Sequence, residues 1–161
     1  MSAARRRPAP AARAARPARR PRAATPVVSP QALMAEAVRA RAASHSPYSR
    51  FAVGAALLTA SGRIVHGCNV ENASYGLTCC AERTAVFKAV SDGERRFVAI
   101  AVTARDGQGA PPCGACRQVL AEFAPELEVY WRDRRGRIVH RSLRTLLPNL
   151  FDFVKEGGKP R

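Results

Sequence analysis

The chain reads as an α/β protein, a three-layer α/β/α sandwich with a mixed central sheet. Three observations predict this. A run that is apolar throughout, Phe51 to Leu58, meets a turn at Ala60 to Arg63 and then Ile64-Val65-His66, the pattern of an antiparallel hairpin. Beyond the hairpin, strand-like and helix-periodic segments alternate, which calls for a mixed sheet covered by helices. The 161 residues suffice for one domain with a substantial core and are too few for two comfortable ones.

Each element has its own signal. Ser29-Pro30 is a helix start, a cap followed by proline in the first turn, and Leu33, Ala37, Val38 and Arg41 continue at helical spacing to about Ala43. The hairpin follows. Cys80 to Val90 is helical, with Ala85 and Val86 turned inward and Ala89 one turn on. Phe97 to Thr103 reads as a buried strand, Cys113 to Phe123 as a helix, and Leu127 to Trp131 as a strand. A turn at Asp133 to Gly136 leads to a short strand around Ile138-Val139, then a helix from Ser142 that Pro148 ends.

Composition sets limits on function. The formal net charge is +15, but the first thirty residues hold eight arginines and six prolines with no acidic residue. Residues 1–28 are therefore expected to be an unstructured Arg/Pro/Ala-rich arm, 29–154 the folded domain and 155–161 a flexible end. The arm is neither amphipathic nor Ser-rich, unlike a transit peptide. No apolar run approaches the roughly 20 residues that span a bilayer, which argues against a membrane role. Five cysteines leave one unpaired and no secretory signal precedes them, so a metal site in a cytoplasmic protein is expected rather than a disulfide framework.

The chemistry sits in two short segments, Cys80-Ala81-Glu82 and Pro112-Cys113-Gly114-Ala115-Cys116. They offer three thiolates to one zinc ion and leave one carboxylate free. Zinc with three protein ligands keeps a fourth position for water, whereas structural zinc is closed by four. The pattern matches the Cys₃ form of the H-x-E…P-C-x-x-C signature of zinc deaminases. In that signature the ligand lies two residues before the glutamate, which selects Cys80 over Cys79 and leaves Cys79 and Cys68 as small buried residues. Glu82 is the expected proton carrier between water, the ring nitrogen and the departing amine. Both clusters start helices, where positive dipole ends favour thiolate. Three thiolates on one dication weaken it as a Lewis acid. Arg83 and Arg117, each next to a ligand or to Glu82, are placed to donate charge-assisted hydrogen bonds to sulfur.

Further segments extend the pattern: Pro47-Tyr48-Ser49-Arg50-Phe51-Ala52-Val53-Gly54, Gly67-Cys68-Asn69-Val70-Glu71-Asn72-Ala73-Ser74-Tyr75, Cys80-Ala81-Glu82-Arg83-Thr84-Ala85 and Pro112 to Gln118. Together they closely resemble the small homotetrameric cytidine deaminases, over about Ser29 to Phe151. The resemblance implies one zinc per subunit at Cys80, Cys113 and Cys116, with Glu82 as the proton shuttle. It implies a nucleoside substrate, cytidine or 2′-deoxycytidine, hydrolysed in pyrimidine salvage. By the same resemblance Asn69 and Glu71 bind the ribose hydroxyls and Phe51 packs beside the pyrimidine. Ala73, Tyr75 and Phe151 reach the site from neighbouring subunits of a homotetramer.

Rival readings share parts of this pattern. A deaminase of cytosine in nucleic acid uses the same zinc chemistry, but Asn69 and Glu71 suit a free nucleoside and over half of the excess charge lies in the arm. A deaminase of a nucleoside-like antibiotic should differ between Asn69 and Tyr75. A structural zinc site would add Cys79 or Cys68 as fourth ligand, and a nucleic-acid-binding module built on it has no use for Glu82. Asn69 and Glu71 also have a plain alternative as a loop-capping pair. His45, His66 and His140 lie outside the metal motif and are expected in ordinary loop or strand roles.

Overall fold

Ser29 caps helix α1 (Pro30–Arg41): its hydroxyl accepts from the Ala32 amide at 3.1 Å, and Pro30 fills the first turn, where a missing N–H leaves no bond unmade. The computed structural model describes residues 27–105 and 110–151. The readings of residues 1–26 as an unstructured arm and of 155–161 as a flexible end lie outside them. Val28 already packs against the core.

Strands β1 (Gly54–Thr59) and β2 (Ile64–Cys68) form the expected antiparallel hairpin, with Gly62 in the turn at a φ of 91°. A single 3-10 turn, Tyr75–Leu77, comes before helix α2 (Ala81–Ser91). Then follow β3 (Phe97–Thr103), α3 (Gly114–Phe123), β4 (Glu128–Arg132), β5 (Ile138–Ser142) and the one-turn helix α4 (Leu143–Leu146), capped by the Ser142 hydroxyl. The five strands lie in the order β2-β1-β3-β4-β5. Only β3 and β4 run parallel, so the sheet is mixed.

Helix α1 covers one face, with Leu33, Met34 and Ala37 against Ala56, Leu58, Ala99 and Ala101. Helices α2 and α3 cover the other, where Ala85, Val86 and Leu120 meet Leu57, Ile100, Val102 and Val129. Alternate residues of β1 and β3 thus serve opposite layers, and every residue of β1 is buried. One detail differs from the periodicity reading. The buried stripe of α1 is Leu33, Met34, Ala37 and Ala40, while Val38 is 39 % exposed. The cause is close packing: Gly54 lies directly under the backbone of Ala37 and Arg41, and this contact sets the rotation of the helix.

The histidines take structural places. His45 joins a backbone bridge with Val70, His66 bonds Glu36 at 2.8 Å, and His140 pairs with Glu128 and stacks on Tyr130.

Candidate metal centre and active site

Helix starts position all three thiols. Cys80 is the N-cap of α2, Cys113 is the N-cap of α3, and Cys116 is fully buried in the first turn of α3. Neither N-cap thiol bonds its own helix, so both are free to face each other. Because α2 and α3 pack on one face of the sheet, the three sulfurs lie within 4.8 Å of one another. Tetrahedral zinc with bonds of about 2.3 Å to sulfur places ligand sulfurs about 3.8 Å apart, so the set fits. Among the described residues this is the only such group of three or more His, Cys, Asp or Glu.

The electrostatics around the sulfurs suit a cation as well. The neighbouring Cys116 thiol draws the Cys80 pKa down to about 5 against the opposing effect of burial, and Arg83 lowers it further. Cys116 is pushed up by its closeness to Cys80 and by burial. Metal binding at such a cluster displaces thiol protons, since the ligand is the thiolate. The fourth-cysteine alternative has no support in the geometry. The Cys79 sulfur accepts from the Thr84 hydroxyl at 3.6 Å, and the Cys68 thiol donates to the Ala43 carbonyl at 3.2 Å. Both are half-buried rather than buried as expected.

Glu82 sits in the first turn of α2, 4 % exposed, at the floor of a cleft of about 450 Å³. Burial pushes its carboxyl up to about 7; a backbone N–H opposes this and the Cys80 thiolate adds to it. Arg83 donates to the Thr78 carbonyl at 3.0 Å and to the Cys80 sulfur at 3.7 Å. Its buried Nε has no partner among the described residues. Arg117 differs from expectation: it donates to the Pro112 carbonyl at 2.8 Å and the Leu146 carbonyl at 2.9 Å, and touches no sulfur. Leu146 ends α4, whose last carbonyls lack helical donors, and they attract the guanidinium away from the metal ligands. Arg117 therefore anchors the backbone just before Cys113.

Phe51, Asn69, Glu71, Tyr75, Cys80 and Glu82 all line this cleft. Asn69 and Glu71 are buried and do the capping work of the alternative reading too. The Asn69 Oδ1 accepts from Ser44 Oγ at 2.6 Å and from the Val53 amide at 2.8 Å, and its Nδ2 donates to the Phe51 carbonyl at 2.8 Å. Glu71 accepts from the amides of Tyr48 at 2.9 Å and Ser49 at 3.2 Å and from the Ser49 hydroxyl. The Ser49 side chain, then these amides, hold its carboxyl below the usual carboxylate range. Sequence reasoning missed Ser44 and Ser49 in this role. The left-handed φ of Arg50, 55°, turns the chain between Ser49 and Phe51 so that both face the cleft.

The residues expected from neighbouring subunits fall differently within one chain. Tyr75 borders the cleft of its own chain and is 58 % exposed. Ala73 is exposed and not part of the cleft lining, and Phe151 is 62 % exposed and fastened by its backbone to Gln118 on α3.

Three clustered thiols and a buried acid that none of them needs, carried on two helix starts of an α/β/α sandwich, define the class of zinc-dependent deaminases. The family model for the cytidine and deoxycytidylate deaminase zinc-binding region matches residues 28–131. A cytidine deaminase of Halalkalibacterium halodurans is 54 % identical over 122 residues, covering 75 % of this chain and 92 % of that one. The solved cytidine deaminase of Burkholderia pseudomallei superposes with a TM-score of 0.73 at 49 % identity, covering 77 % of this chain and 100 % of the other. That of Mycobacterium tuberculosis gives 0.69 at 46 % identity, covering 78 % and 99 %. The chain belongs to the cytidine and deoxycytidylate deaminase family. Among the described residues no helix is long and apolar enough to cross a membrane.

Proposed function

We propose that the protein hydrolyses cytidine and 2′-deoxycytidine to uridine and 2′-deoxyuridine, as a cytoplasmic enzyme of pyrimidine salvage. The observation that carries this is Glu82, a buried carboxyl beside the three sulfurs and open to the cleft. Cys80, Cys113 and Cys116 would hold zinc, which when bound would supply a Lewis acid that makes water a usable nucleophile near neutral pH.

The chain's own groups do the rest. Glu82 takes a proton from the attacking water and delivers it to N3 of the base as the water oxygen bonds to C4. It then carries the second proton to the amino group; the C4–N4 bond breaks, ammonia leaves, and the C4 carbonyl of the product remains. A pKa near neutrality, set first by burial, suits a group that must accept and return protons. Phe51 lies beside the ring, and Glu71 accepts from ribose hydroxyls through the capacity its three local bonds leave over. Arg83 keeps charge on Cys80 in check.

The site is completed by neighbouring copies in a homotetramer, with Ala73, Tyr75 and Phe151 at the contacts. Exposed Tyr48, Val70, Leu77 and Phe87 support such contacts.

The test is the ultraviolet absorbance change of cytidine, 2′-deoxycytidine and a cytosine-containing oligonucleotide with purified protein, beside Glu82→Ala. The nucleosides should react and the oligonucleotide should not, while Glu82→Ala keeps one zinc per subunit and loses about 10²- to 10⁴-fold in kcat. Loss of zinc in that variant would make Glu82 a ligand and sink the mechanism. Sedimentation with activity across a dilution series tests the tetramer, for a fully active monomer contradicts shared sites.

A further inference from the structure

On the opposite face of the sheet from Glu82, a second cleft of about 610 Å³ is lined by five arginines: Arg41, Arg105, Arg132, Arg134 and Arg135. Arg41 ends α1, Arg105 follows β3, and the other three lie at the end of β4 and in the turn to β5. This places the cleft outside the carboxyl ends of the parallel pair β3 and β4, where open α/β sheets commonly take ligands. Thr103 faces this cleft and Val102 faces the catalytic one, so strand alternation separates the two.

Among the described residues these charges are not balanced by neighbouring carboxylates. The single carboxylate in the lining, Asp133, is committed elsewhere: it accepts from the amides of Arg135 at 2.8 Å and Arg137 at 2.9 Å and from the Arg137 guanidinium at 3.0 Å. None of the five lining arginines has an ion-pair partner among the described residues. Two are pinned by backbone carbonyls, Arg41 on Ala104 and Arg132 on Gly136 at 2.7 Å, which fixes their direction and leaves further N–H donors. Arg105, Arg134 and Arg135 are exposed, and their side chains make no hydrogen bond among the described residues. Like charges gathered around one concavity repel unless an anion joins them.

We propose that this cleft binds a compact oligophosphate, either inorganic or the phosphate chain of a nucleotide. Guanidinium forks match phosphate oxygens in pairs, and several facing one volume suit an anion of several charges better than a lone carboxylate. The volume is of the size that takes a small ligand. The lining holds no aromatic side chain on which bases could stack, so the site reads phosphate rather than a nucleic-acid strand.

The experiment is calorimetric titration of the full chain at constant ionic strength with tripolyphosphate, adenosine triphosphate and a single-stranded oligonucleotide. The same probes are then run on the triple variant Arg105→Gln, Arg134→Gln, Arg135→Gln. One tripolyphosphate or nucleotide should bind per chain, and the triple variant should weaken it at least tenfold with cytidine turnover unchanged. Equal affinity for tripolyphosphate and nucleotide assigns recognition to the phosphates alone; a preference for the nucleotide adds its nucleoside end. Unchanged affinity in the triple variant overturns the proposal, because the binding then belongs to arginines elsewhere. Tighter binding of the oligonucleotide, or inhibition by tripolyphosphate that competes with cytidine, overturns it as well.

Discussion

Gly67 lies where β2 passes beneath helix α2, and replacing it with alanine tests how tightly the sheet sets the active site. A Cβ at Gly67 would stand 2.5 Å from the Ala85 nitrogen, 2.9 Å from its Cα and closer still to the Ala81 carbonyl oxygen. All three are backbone atoms of α2, so no side-chain rotation relieves the overlap. Carbon contacts settle near ~3.5–4.0 Å, so α2 must retreat by about 1 Å at this crossing. Overpacking of a core costs about 1–3 kcal/mol, and a clash with backbone belongs at the upper end. At about 3 kcal/mol the melting temperature falls by roughly 10 °C. The same retreat carries Cys80 and Glu82 with it, and a 1 Å misplacement of reacting groups costs about 100-fold in rate. Thermal melts, zinc content and kcat/KM of Gly67→Ala should show both losses. Gly76→Ala, where an added Cβ meets nothing within 4 Å, should melt within about 1 kcal/mol of the wild type. Wild-type melting and turnover in Gly67→Ala would refute the claim that this contact fixes α2.

The other predictions concern charge. Arg83→Gln removes the donor to the Cys80 sulfur and should weaken zinc about 10- to 100-fold in competition with a chromogenic chelator; equal affinity would discard its role at the metal. Arg117→Ala frees the Pro112 and Leu146 carbonyls and should cost about 1–3 kcal/mol in denaturant titration, with Lys restoring part of it, because a point charge cannot replace the fork. The Glu71 carboxyl lies lower in the folded chain than in the unfolded, so its stabilising effect is complete above the unfolded value of about 4.3 and is lost as pH falls through the folded one. Glu71→Gln should therefore lose less melting temperature than the wild type between pH 6 and pH 3, and parallel curves would count against this linkage.

Most of the architecture was readable because its signals are local. Caps at Ser29 and Ser142, the apolar runs and the Asp133–Gly136 turn each announce an element without help from the rest of the chain. Spacing likewise chose Cys80 over Cys79, and the sulfur positions agree. What the sequence hides is the competition for partners at long range. Proximity to Cys116 made Arg117 look like a sulfur donor, yet the bare carbonyls at the end of α4 lie 29 positions along the chain. Asn69 and Glu71 carry their capping roles because the Ser44 to Val53 segment folds back over them, a contact no periodicity reports. Val38 fits a helical stripe in one dimension, but a glycine on a facing strand decides which side of α1 goes inward.

The placement of the three thiols also makes the metal part of the chain's connectivity. Cys80 and Cys113 start different helices, so an ion held between them closes a loop of roughly thirty residues that contains α2 and the central strand β3. Treated as a cross-link on the unfolded ensemble, such closure is worth about 4 kcal/mol. Loss of the ion would then shorten the lifetime of the fold, and the abundance of the protein in a cell would follow the supply of zinc even where no substrate is present.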